Sequence, residues 1–128
     1  MKTKKTEKQK LIKEADRLWS LVIRQKYNNI CCKCGNRGTS AHHIVSRTHK
    51  NTRWDIENGL CLGFPCHIHF MHGKPVESTK WLRQRMGDQF IDNLLKKSQI
   101  IFKPTVENMR RIVAKLTDDL ENKLKEKE

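Results

Sequence analysis

All five cysteines and all six histidines of this 128-residue chain fall between Cys31 and His72. Their spacing is the strongest constraint on what the chain can fold into. Cys31-x-x-Cys34 runs straight into Gly35, and Cys61 and Cys66 follow after a gap of 26 residues, with four residues between them. Two close cysteine pairs separated by a loop match a tetrahedral structural Zn²⁺ site. Each thiolate must approach the ion to about 2.3 Å, so each pair needs a tight turn, and Gly35 suits one. Cys32 is the odd cysteine, and spacing alone lets it exchange with Cys31 as ligand. Disulfides are the competing arrangement. The chain opens on Met1, Lys2, Thr3 and Lys4 with no apolar run behind them. A secretory signal is therefore not expected, and a cytoplasmic chain keeps its thiols reduced. A redox Cys-x-x-Cys would call for a βαβ context that is not present.

Helical periodicity brackets this segment. Leu11, Ala15, Leu18 and Val22 recur at helical spacing, with Ile12, Trp19 and Ile23 widening the stripe, so residues 6–27 read as an amphipathic helix. Asn28 and Asn29 end it. Residues 30–73 lose the period and show two short β-like runs, at 40–46 and 59–62, joined by a polar connection, with a short helix after Cys66. From residue 74 to 128 the chain is helical again. Gly87 reads as a stop, Asp88 as the next cap and Pro104 as a break. The last helix carries Met109, Ile112 or Val113, Leu116, Leu120 and Leu124 on one face. Docking on the first helix is expected, giving a monomer, or a weak homodimer if that face pairs between chains. Hydrophobic residues are 36% of the chain and charged residues 32%. That supports one small α+β domain over residues 1–128, with a metal as staple. No apolar run is long enough for a transmembrane helix, so no membrane partner is expected.

Charge narrows the partner. Lys plus Arg number 27 against 14 Asp plus Glu, a formal net charge of +13. Such a surface suits a polyphosphate, and the absence of a basic, aromatic amphipathic segment argues against a lipid surface.

The histidines need a separate account. Adjacent strand residues point to opposite faces, so His42 and His43 must do two different jobs. Asn58 follows His43 by 15 residues and His67 follows Asn58 by nine, with His69 and His72 close behind. A zinc-binding module needs only the cysteines. The surplus imidazoles point to a second metal held in an open geometry.

The order His43, Asn58, His67 between two cysteine pairs resembles the zinc-containing subtype of the HNH nuclease family, over about a third of the chain. A similar, wider arrangement occurs in the phage NinG (Rap) recombination nucleases. The corresponding stretch here is Arg53-Trp54-Asp55-Ile56-Glu57-Asn58, with Leu82 and Gly87 in the helix that follows. This chain differs in reading His42-His43 for Gly-His and Cys66-His67 for Cys-Asn. The resemblance implies a ββα-metal core stapled by a four-cysteine zinc site of Cys31, Cys34, Cys61 and Cys66, flanked by the terminal helices. It implies a DNA endonuclease with His43 as general base and Asn58 fixing the loop and orienting His43. His42 and His67 would bind the catalytic ion, with His69 or His72 completing the shell. Mg²⁺ or Mn²⁺ is expected there, with Ni²⁺ or Zn²⁺ compatible with imidazole ligands. Branched DNA and a phage or mobile-element setting in a bacterial host follow from the resemblance alone. Arg47, Lys50 and Arg53, on the polar connection, are expected to contact phosphates, and Trp54 to pack against the zinc knuckle.

Two other functions compete. A non-catalytic zinc module would bind nucleic acid through charge, but has no use for His42, His43, Asn58 and His67 together. A protein-interaction domain would use the last helix as a dimer seam.

Overall fold

The computed structural model describes residues 4–126. Helix α1, Glu7–Lys26, opens with a reciprocal cap. Thr6 Oγ1 accepts from the Gln9 amide at 3.2 Å, and Gln9 Oε1 accepts from the Thr6 amide at 2.9 Å. Two otherwise orphaned N–H groups are thereby satisfied. The helix ends where Asn28 and Asn29 enter the left-handed region, with φ of 54° and 57°, a conformation asparagine tolerates better than most residues.

The chain then turns through Cys31–Cys34. Gly35, at φ 78°, closes the knuckle, and its amide donates to the Cys31 carbonyl at 3.0 Å. Strands β1, Ser40–His43, and β2, Gly59–Leu62, form a two-stranded antiparallel sheet that pairs Ser40 with Leu62, Ala41 with Cys61, His42 with Leu60 and His43 with Gly59. Between them lies a single helical turn, α2, Lys50–Arg53. A π-helix follows at Cys66–His72, then α3, Pro75–Met86, and α4, Asp88–Ser98. Gly87 joins the last two at φ 91°. Helix α5, Val106–Glu126, returns to pack on α1. The architecture is α+β, and among the described residues no helix is long and apolar enough to cross a membrane.

Strand alternation gives the sheet two faces with different work. Ala41, His43, Gly59 and Cys61 turn toward α1. The helix lies so close that a Cβ on Gly59 would fall 2.7 Å from atoms of both Trp19 and Ile23. Ser40, His42, Leu60 and Leu62 turn the other way, where Leu62 packs with Cys31 and Met71. The main core joins Ala15, Leu18, Trp19, Val22 and Ile23 of α1 to Met109 and Leu116 of α5. The last two are fully buried, each contributing about 1.5–3 kcal/mol relative to exposure.

Two expectations change here. Strand β1 stops at His43 because the chain bends away at Ile44 to be held by Asn58. Trp54 is not beside the knuckle. It is buried in the α1–α5 core, where it meets Phe102 edge-on at 6.1 Å. Lys33 of the knuckle instead stacks its ammonium over Phe70 at 4.1 Å and Trp81 at 5.5 Å, a cation–π contact that ties the knuckle to α3.

Candidate active site

The Cys-x-x-Cys turn and the start of the π-helix bring three thiols together. Cys31, Cys34 and Cys66 have their sulfur atoms within 4.8 Å of one another, close to the ~3.8 Å separation that Zn–S bonds of 2.3 Å impose on a tetrahedron. Burial pushes the Cys31 thiol up, but backbone N–H groups of Cys34, Gly63 and Lys33 outweigh it and bring it down to about 7. Cys66, crowded by burial and by both other sulfurs, is pushed up to about 12. A divalent cation would resolve that conflict by binding all three as thiolates. The donor set fits structural zinc.

Cys61 does not join this cluster, and the expectation of four cysteine ligands is corrected to three. Its side chain lies on the α1 face of the sheet with Ala41 and Gly59, whereas Leu62, one residue on, faces Cys31. Cys61 lies against Gly38, where an added Cβ would come within 2.4 Å of its sulfur. Cys32 also stands outside the cluster. The Cys31–Cys34 turn thus presents Cys31 and not Cys32 to the cluster, two residues that spacing left interchangeable.

The opposite face of β1 makes a second cluster. His42, His67 and His72 place one ring nitrogen each within 4.8 Å of the others. The Nε2 atoms of His67 and His72 are 3.1 Å apart, and the His42 ring meets theirs at centroid distances of 5.3 and 5.5 Å. The π-helix explains the pair. An α-helix puts residues five apart on different sides, but i→i+5 closure brings them together. His72 is therefore the third member of the cluster. His69 belongs to neither cluster; its ring stands against Phe64 at 6.0 Å. Burial, followed by the neighbouring His67, His72 and His43, lowers the His42 pKa to about 4, and His67 is lowered by burial and His72. Both rings are neutral at pH 7 and offer lone pairs.

His43 faces the other way but opens on the same pocket of about 430 Å³, which His42, His67, His72, Ser46 and Arg47 also line. Its ring is stacked on Trp19 at 3.8 Å with an 8° tilt. Its Nε2 lies 2.9 Å from the Arg53 carbonyl oxygen. A carbonyl only accepts, so Nε2 carries the hydrogen and Nδ1 keeps its lone pair. Burial lowers the His43 pKa and outweighs the upward pull of that carbonyl.

Asn58 is fully buried. Its Oδ1 accepts from the Val45 amide at 2.7 Å, and its Nδ2 donates to the carbonyls of Val45 at 3.1 Å and Thr52 at 3.0 Å. The amide thus clamps the two ends of the β1–α2 loop. It does not bond the His43 ring, whose orientation comes from Trp19 and Arg53.

The expected phosphate contacts divide. Arg47 is exposed and borders the pocket, and Lys50 is exposed on α2. Arg53 is withdrawn from that role: its side chain is 13% exposed and its guanidinium grips both oxygens of Asp16, at 3.1 and 2.7 Å. Arg47 reaches the same carboxylate only at 3.5 Å. Asp16 and Trp19 were absent from the sequence-based site. Trp19 counted only as part of an apolar stripe, and nothing local signals that Asp16 meets residues 37 and 38 positions away. No family model, curated protein or solved structure matches this chain.

Proposed function

We propose that this chain is a metal-dependent DNA endonuclease of the HNH type, with a ββα-metal core formed by β1, β2 and the π-helix. One observation carries the reading: His43, with Nε2 committed to a carbonyl and Nδ1 free, shares a pocket with three imidazoles able to hold one cation. A module that only bound nucleic acid would have no need of that arrangement.

Phosphodiester hydrolysis requires a proton acceptor for water. His43 Nδ1 takes that proton, the oxygen of water forms a bond to phosphorus, the P–O3′ bond breaks and O3′ leaves with a proton from solvent. His42, His67 and His72 would hold the divalent ion. When bound, such an ion offsets the charge that develops on the phosphate and on O3′. Three imidazoles move the expected preference from Mg²⁺ toward Ni²⁺ and Zn²⁺, and Mn²⁺ suits the site if phosphate and water oxygens complete its shell. Asn58 holds the loop that carries Arg47, and Arg47 and Lys50 supply phosphate contacts. Zinc held by Cys31, Cys34 and Cys66 would fix the start of the π-helix and with it His67 and His72. A structural zinc takes four ligands, so water or one further donor would fill the fourth position beside the three thiolates.

The test is nicking of supercoiled plasmid in Mg²⁺, Mn²⁺ or Ni²⁺ by the wild type and by His43→Ala at equal zinc content. Nicking by the wild type alone supports the reading. Salt-sensitive binding without cleavage by either protein would leave a zinc-stapled binding module instead.

A further inference from the structure

We propose that Asp16, on α1 and outside the cysteine- and histidine-rich segment, is the positioning residue that sets the tautomer and aim of His43. The proposal rests on the reading of His43 as the base. The carbonyl that accepts from His43 Nε2 belongs to the peptide bond joining Arg53 to Trp54. Both side chains flanking that peptide are bonded to one carboxylate. Arg53 donates to Asp16 Oδ1 and Oδ2 at 3.1 and 2.7 Å, and Trp54 Nε1 donates to Oδ1 at 2.9 Å. Anchoring both flanking side chains restricts rotation of that carbonyl away from the imidazole. Trp19, one turn along α1 from Asp16, completes the mount: its ring stacks on His43 while its Nε1 donates to the Asp55 carbonyl at 2.8 Å. One face of α1 therefore grips residues 53–55 at three points and supports the imidazole from behind.

The contacts are of a kind that costs rate when lost. The Arg53–Asp16 pair is bidentate and largely shielded from solvent, which makes it geometrically specific. A proton acceptor displaced by about 1 Å can lose about 100-fold in rate while substrate binding is retained. Arg47 shares the carboxylate only at the long distance of 3.5 Å and is 62% exposed, so it can turn to a phosphate without disturbing the mount.

The experiment compares the zinc-loaded wild type with Asp16→Asn and Trp54→Phe in single-site oligonucleotide cleavage, and reads the ring nitrogens of His43 by ¹⁵N NMR without the catalytic ion. Asparagine keeps one acceptor but turns an NH₂ toward the guanidinium. For Asp16→Asn the expected result is kcat down about 10- to 100-fold, KM within about twofold, and a ring signature changed from pure Nε2–H to a tautomer mixture. Trp54→Phe should lose less, about 3- to 10-fold, since it removes one of the three bonds. A kcat within about twofold of wild type, or an unchanged ring signature, overturns the proposal. If the wild type does not cleave, the nuclease reading falls, and the ring signature alone still decides whether Asp16 sets the tautomer. If Asp16→Asn does not fold, Trp54→Phe carries the same two readouts.

Discussion

Replacing Asn58 by aspartate changes one NH₂ to an oxygen in a site with no access to water, so the cost can be worked group by group. The wild-type amide accepts once, from the Val45 N–H, and donates twice, to the carbonyls of Val45 and Thr52. A neutral aspartic acid donates once; if it donates to Val45, the Thr52 carbonyl keeps only the Asp55 amide, at 3.1 Å, and the lost hydrogen bond costs about 0.5–1.5 kcal/mol. An ionised one would set negative charge against two carbonyl oxygens. The new carboxyl therefore stays protonated in the folded chain, its pKa raised from about 3.9 by about 3 units, as is usual for buried acids. At 1.36 kcal/mol per unit that adds about 4 kcal/mol at neutral pH. The sum, about 5 kcal/mol, rivals the whole stability of a marginal domain, which for proteins generally is about 5–15 kcal/mol. The sign follows from linkage. With the folded pKa above the unfolded one, the electrostatic part of the penalty is absent where both states are protonated, and grows as pH rises toward the folded pKa. Urea denaturation of both proteins in parallel, with zinc saturating, should show the gap narrowing by about 1.4 kcal/mol per unit as pH falls from about 7 toward 5. A gap below about 1 kcal/mol at neutral pH, or one flat with pH, would refute the clamp. Asn58 would then have to act through the ion.

Other outcomes follow from the same geometry. Cys34→Ser and Cys66→Ser should each lose the bound zinc, measured by metal analysis after dialysis, whereas Cys61→Ser should keep it. In protein without the catalytic ion, His42 contributes stability at neutral pH that is lost as pH falls from about 6.5, the unfolded value, through about 4, the folded one, because only the unfolded ring gains its proton early. His42→Gln should flatten that part of the stability curve in chemical denaturation, and an unchanged curve would count against burial as the cause. Arg47→Ala should weaken DNA binding and reduce the slope of log K against log salt by about one. Arg53→Ala should instead lower the thermal midpoint, since it leaves Asp16 half-buried with its main partner gone.

Local signals were legible in the sequence and contacts across elements were not. The stripe from Leu11 to Val22 announces α1, Gly87 and Asp88 the junction of α3 and α4, and the stripe from Met109 to Leu120 the helix that docks on α1. Each depends on residues within a turn or two of one another. The knuckle at Cys31 and Cys34 was legible for the same reason. Cys61 was not, because exclusion from the cluster depends on which face of β2 it occupies, and a one-residue change of register would reverse that. His72 was not separable from His69 in the sequence, because α-helical spacing favours partners three and four residues apart and only a π-helix brings position five onto the same side as His67.

The logic of such a motif, a base beside a metal cluster, therefore accounts for only half of the site's construction. Residues 31–72 supply every group proposed to touch substrate or ion, yet the sheet at their centre has two strands of four residues, too little to hold a histidine still by itself. Rigidity comes from α1. Its apolar side anchors it to α5 through Met109 and Leu116, and the neighbouring positions Asp16 and Trp19 transmit that anchorage to the Arg53 carbonyl and the His43 ring. A helix that reads in sequence as an ordinary cover for a core is thus the support on which the proposed base is aligned. Trimming the chain to its metal-binding segment should retain zinc affinity while losing the order of His43, because the thiols are local to that segment and the support is not.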